Sequence, residues 1–206
     1  MARLVRIRKT RTRDGVRRAH LRHVRTSVTI PHLERQVLTS LTNYNKYPVE
    51  MGGGLDFKTN GRLERIHLQR GTKDTLDLPP DFEAQFHTHP TPRGATMPPA
   101  SPEDVLSLLR DKRQQAELVV GPGHTDVITK TASIKALSKL PATRVFRRLD
   151  RAYTSTGRLR LSDPVRTRRW YDTLRALGFA VQTHPNTGPL HLAAVRPVEP
   201  RRGGSV

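Results

Sequence analysis

Three short stretches of this 206-residue chain carry residue types that do chemistry at workable spacing. They are Glu50, then His87-Thr88-His89-Pro90, then Ser101-Pro102-Glu103-Asp104. Residues i and i+2 of a β-strand point to the same face. On a strand, His87 and His89 therefore present two imidazoles side by side. Asp104, one turn into a helix that begins at Ser101, can add a carboxylate. Two His and one Asp make a three-ligand zinc site whose fourth position stays open to water, which is the catalytic form. Zinc lowers the pKa of that water towards ~7. A separate carboxylate must then carry its proton to a leaving amine, and Glu50 can do so from a neighbouring strand.

Each piece alone has an ordinary explanation. A His-x-His pair is most often exposed on a strand. Ser101 to Asp104 is a good helix start by itself: Ser caps, Pro102 suits the first turn, and Glu103 and Asp104 complement the positive helix end. Glu50 alone is an ordinary strand residue. The order and the joint spacing of the three are what argue for a site.

Helical spacing and Pro31 predict a helix from Ile30 to Tyr44, broken by Pro48. A glycine-bearing strand follows over 50–57, then an Asn60-Gly61 hairpin signal, a strand over 63–68 and a short strand over 82–87. Pro and Gly make 90–100 a loop. After the Ser101 helix come a buried strand over 116–120 and another over 125–131. Two basic helices are expected next. The first carries Val145, Phe146, Leu149 and Tyr153 on one face; the second is capped by Ser162 and stopped by Gly178. A short hairpin of 179–182 with 190–195 is expected to close the fold, with a disordered tail after Pro197. Gly52-Gly53-Gly54 lacks the Lys-Ser/Thr of a phosphate loop; glycine there permits close backbone approach near the site.

In this setting Glu50, His87-Thr88-His89-Pro90 and Ser101-Pro102-Glu103-Asp104 together resemble the motif of the JAB1/MPN/Mov34 (JAMM) family of zinc metallopeptidases. The resemblance covers residues 30–135. It implies an α/β (α+β) fold: an MPN/JAB-type mixed sheet flanked by helices. It implies that His87, His89 and Asp104 bind Zn2+ and that Glu50 is the general acid/base. It assigns Ser101 a hydrogen bond to the tetrahedral intermediate. The expected activity is that of a zinc-dependent peptidase or isopeptidase, in which metal-activated water attacks a peptide or isopeptide carbonyl. The expected substrate is a protein, with ubiquitin-like tails as the family's usual choice. One departure is that eleven residues separate His89 from Ser101, more than the family usually has.

The chain has no Cys, which excludes disulfide scaffolds, thiolate metal sites and thiol catalysis. No apolar run approaches the ~18 residues of a membrane span, so no membrane partner is expected. The net charge is +19 and unevenly spread. Residues 1–35 carry +9 and residues 136–206 carry +10, while 36–135 are neutral; 23 of the 25 basic residues in the flanks are Arg. The expected organisation is a basic arm (1–29), a JAB/MPN-like domain (30–140) and a small basic helical extension (141–206). Arg-rich flanks suit a nucleic acid or an acidic assembly. The arm also has the composition of an organellar transit peptide. The expected location is intracellular, in the cytoplasm or within a nucleoprotein or virion assembly, with an organellar address as an alternative. A reading of a different class keeps the MPN fold as a non-catalytic scaffold bound to nucleic acid or a particle. The histidines at 20, 23, 32, 67, 124, 184 and 191 are assigned no metal role.

Overall fold

The computed structural model describes residues 31–73, 75–78, 80–89, 97–155 and 163–192. Within 1–30 it describes four two-residue strands: Leu4–Val5 pairs with Arg22–His23, and Arg11–Thr12 with Gly15–Val16, both antiparallel. The rest of the expected arm, the 90–96 part of the Pro/Gly loop, Ser162 and the tail after Pro197 lie outside the described residues.

From residue 31 the strands are β1 (His32–Leu33), β2 (Met51–Phe57), β3 (Leu63–Arg70), β4 (Ala84–His87), β5 (Ala116–Val120), β6 (His124–Lys130), β7 (Phe179–Pro185) and β8 (Leu190–His191). The helices are α1 (Arg35–Asn43), α2 (Pro102–Arg110), α3 (Lys135–Ser138), α4 (Ala142–Thr154) and α5 (Pro164–Ala176). Six strands form one mixed sheet in the order β7-β6-β5-β4-β2-β3. All neighbours are antiparallel except β4 and β5. A parallel pair needs a crossover, and α2 provides it. The mixed α+β class expected from the sequence is the one observed.

The sheet is covered on both faces, which is why its central strands carry apolar residues towards both sides. Along β5, Leu118 and Val120 join a core with Leu38 and Leu41 of α1. The intervening Val119 joins a second core with Val105 and Leu108 of α2, Val145 and Leu149 of α4, and Trp170 and Leu174 of α5. This is period-2 alternation with both sides buried. Helices α4 and α5 and strand β7 thus share a core with the Ser101 helix. Trp170 is nearly fully buried and its indole N–H donates to the Ala100 carbonyl at 3.0 Å.

Two expectations about local structure need correction. The N-terminal helix starts at Arg35 rather than Ile30, because fully buried Leu33 is in a strand paired with Leu190. Among the described residues, 179–182 and 190–192 do not pair as the expected closing hairpin, and 193–195 lie outside the described residues. Phe179 and Val181 alternate into the α5-side core, so β7 joins the sheet edge and pairs with β6 from Lys130 to His124. Leu190 and His191 cross instead to β1. The second basic helix begins with Asp163 as its cap, whose side chain accepts from the Val165 N–H at 2.8 Å. It ends at Gly178, where φ is +98°, a backbone region glycine occupies without a Cβ clash.

Candidate metal centre

His87 is the last residue of β4, paired across to Gly52 of β2 and lying beside Val119 of β5. It therefore faces the side of the sheet that carries α2. Gly52 has to be small: a Cβ there would lie 2.5 Å from the Phe86 carbonyl oxygen and 3.0 Å from the His87 Cβ. The glycine run thus admits β4, in line with the sequence pattern. The strand ends at His87, not His89. Thr88 still faces Met51 in register, donating its N–H to the Met51 carbonyl at 2.7 Å while its Oγ1 accepts from the Met51 N–H at 3.2 Å, and His89 follows.

The two rings nonetheless converge. The Nδ1 of His87 contacts Glu117 Oε1 at 2.8 Å, and the Nδ1 of His89 contacts the Pro98 carbonyl oxygen at 3.0 Å. With each Nδ1 held by an oxygen, the two Nε2 atoms are the ring positions turned towards each other and open to a metal. Those Nε2 atoms face each other at 3.0 Å. Asp104 Oδ2 is 3.5 Å from the His87 Nε2. Taken together, the ligand atoms of His87, His89 and Asp104 lie within 4.8 Å of one another.

Asp104 is fixed by the helix start. Its N–H donates to Ser101 Oγ at 3.2 Å, and its own Oδ2 accepts from the Ser101 N–H at 2.7 Å. This reciprocal capping box is the ordinary explanation of Ser-x-x-Asp, and it is present. It also aims the carboxylate at the histidines, and the Ser101 hydroxyl itself hydrogen-bonds the Asp104 carboxylate. The Asp104 side chain is 27% exposed against 3% for His87, so the cluster opens to solvent on the Asp104 side.

Charge follows from this packing. Burial pushes the His87 imidazole down, but Asp104, then Glu117, then Glu50 outweigh it and hold it up at about 9. Burial and the neighbouring His87 charge lower His89 to about 4. Burial raises Asp104, yet His87 and the Ser101 N–H together hold it below the usual carboxylate value. Burial raises Glu117, against the pull of His87.

Glu50 directly precedes β2 and is half-buried. Its backbone is pinned by its N–H to the Thr72 carbonyl at 2.7 Å and by the Gly71 N–H to its own carbonyl at 2.8 Å. Its charge reaches His87, so it belongs to the same locality. All five expected residues are therefore tied, by contact or by charge, to one cluster. Sequence reasoning missed Glu117 and Gln114. The signal was a lone Glu in the otherwise apolar Ala-Glu-Leu-Val-Val strand. The sequence also could not reveal Pro98, since what it contributes is a carbonyl.

The donor set fits a divalent cation. Two imidazole nitrogens and a carboxylate oxygen converge with their remaining hydrogen bonds already made, which is how His ligands of metals are held. Neither a family model, nor a curated protein, nor a solved structure matches the chain. Among the described residues, no helix is long and apolar enough to cross a membrane.

Proposed function

We propose that this chain is a zinc-dependent peptidase or isopeptidase of JAMM type. The observation that carries the reading is the pair of Nε2 atoms at 3.0 Å, with Asp104 beside them and both Nδ1 atoms engaged. An N₂O donor set with no Cys in the chain suits zinc in its catalytic coordination. Zinc supplies Lewis acidity there: it polarises the scissile carbonyl and acidifies water. His87, His89 and Asp104 hold it. Glu50 takes the proton from the attacking water and gives it to the leaving amine. The Ser101 hydroxyl donates to the oxyanion while its oxygen still accepts from Asp104.

A second feature bears on the partner. On α4, Arg144, Arg147, Arg148 and Arg151 lie outside the buried face formed by Val145 and Leu149. That face suits docking on nucleic acid or another polyanion, which would bring the peptidase to substrates held in such an assembly. If the chain takes no zinc, the same face and fold favour a non-catalytic scaffold.

The test is Glu50→Gln assayed with peptide and ubiquitin-like isopeptide substrates. Zinc content and melting temperature should be kept and cleavage abolished. Undiminished cleavage would remove Glu50 from the mechanism.

A further inference from the structure

His87 and His89 are held in different ways. The Nδ1 of His89 meets a backbone carbonyl, whereas that of His87 meets a carboxylate. That carboxylate, Glu117, is 1% exposed and sits in the middle of the sheet. Its other oxygen, Oε2, accepts from Gln114 Nε2 at 2.6 Å, and the same amide nitrogen donates to the Ala116 carbonyl at 3.2 Å. Gln114 is itself fully buried. The chain therefore places a rigid line of buried polar groups, Gln114 to Glu117 to His87, behind the metal cluster.

A lone carboxylate at such a position is costly unless it is paired and hydrogen-bonded. An apolar residue at 117 would suit the strand better, since its neighbours Ala116, Leu118, Val119 and Val120 are all apolar and buried. What the site gains from Glu117 is chemical. Hydrogen bonding from the Nδ1–H to a carboxylate fixes the tautomer with Nε2 bare, locks the ring plane and makes Nε2 a stronger donor.

We infer that Glu117, braced by Gln114, is a positioning residue for the metal centre. It sets the affinity for a divalent cation through His87 without touching cation or substrate. The inference rests on the proposed zinc site, but its test can fail by itself.

The experiment measures zinc affinity of the full chain by chelator competition for wild type, Glu117→Gln and Gln114→Met. The metal-free melting temperature of each is recorded alongside. Glu117→Gln keeps shape and an acceptor but removes the carboxylate. It should weaken zinc binding by ~10–100-fold, the usual loss for an outer partner of a ligating His. The cobalt-substituted protein should show a shifted visible absorption band for the same reason. Gln114→Met should weaken zinc in the same direction by a smaller factor, and it serves if Glu117→Gln does not fold. A purely structural role would lower the metal-free melting temperature and leave zinc affinity and the cobalt band unmoved. That result would overturn the inference while the zinc site stands. No zinc binding by wild type would overturn both.

Discussion

The Nε2 atoms of His87 and His89 lie 3.0 Å apart, on rings whose other nitrogens each contact an oxygen acceptor. Two bare lone pairs do not face each other at that distance; a proton or a cation must lie between them. One proton shared by the two rings accounts for the opposite directions in the metal-free protein, His87 held up at about 9 and His89 down at about 4.

The first prediction follows from that shared proton. Zinc needs both imidazoles neutral, so at pH 7 its binding should release about one proton per site, and log affinity should rise by about one per pH unit between the two values. For the metal-free protein the signs are opposite for the two rings. His87 is raised from 6.5, so its stabilisation is full below 6.5 and disappears as pH rises through about 9. His89 is lowered from 6.5, so its stabilisation is present above 6.5 and disappears as pH falls through about 4. Calorimetry in two buffers of different ionisation heat counts the released proton. A count near zero or near two would contradict the pairing.

Ser101 has two roles that one substitution should separate by magnitude. Its oxygen caps α2 through the Asp104 N–H, so Ser101→Ala should cost ~1 kcal/mol of stability. Its hydroxyl hydrogen should also serve the oxyanion, so turnover should fall by ~10²–10³-fold. Thermal unfolding and steady-state kinetics read the two. Reduced stability with full turnover would leave Ser101 as a cap alone.

The basic face has to be tested by substitution rather than by cutting the chain. Ending the chain at residue 140 would uncover Val105, Leu108 and Ile128, which share a core with α4 and α5, and would remove the β7 partner of β6. Replacing Arg144, Arg147, Arg148 and Arg151 by Gln spares that core. If the face docks on duplex nucleic acid, each of these Arg that neutralises a phosphate adds ~0.9 to the slope of log affinity against log salt. The slope of the Gln variant should be shallower by that amount per phosphate. An unchanged slope would place the polyanion docking elsewhere.

The site was legible from sequence to the extent that local geometry decides it. Ser101 and Asp104 are readable from the N-cap pattern because capping depends on residues three apart. His87 and His89 read as a strand pair, and they do converge, with Thr88 between them still bonded to Met51 opposite it. Glu117 and Gln114 escape such a reading, because their role depends on β5 lying parallel beside β4, a pairing between segments about thirty residues apart. The same limit explains the closing hairpin. Phe179 and Val181 show an apolar alternation, but nothing local indicates that β6 rather than 190–195 pairs with it.

Metal analysis of the purified chain tests the central claim most directly. Wild type in zinc-replete buffer should carry close to one zinc per chain, and His87→Ala and Asp104→Ala should each forfeit most of it, since two remaining ligands are too few. A folded wild-type protein that takes up no zinc, or variants that keep it in full, would contradict the account.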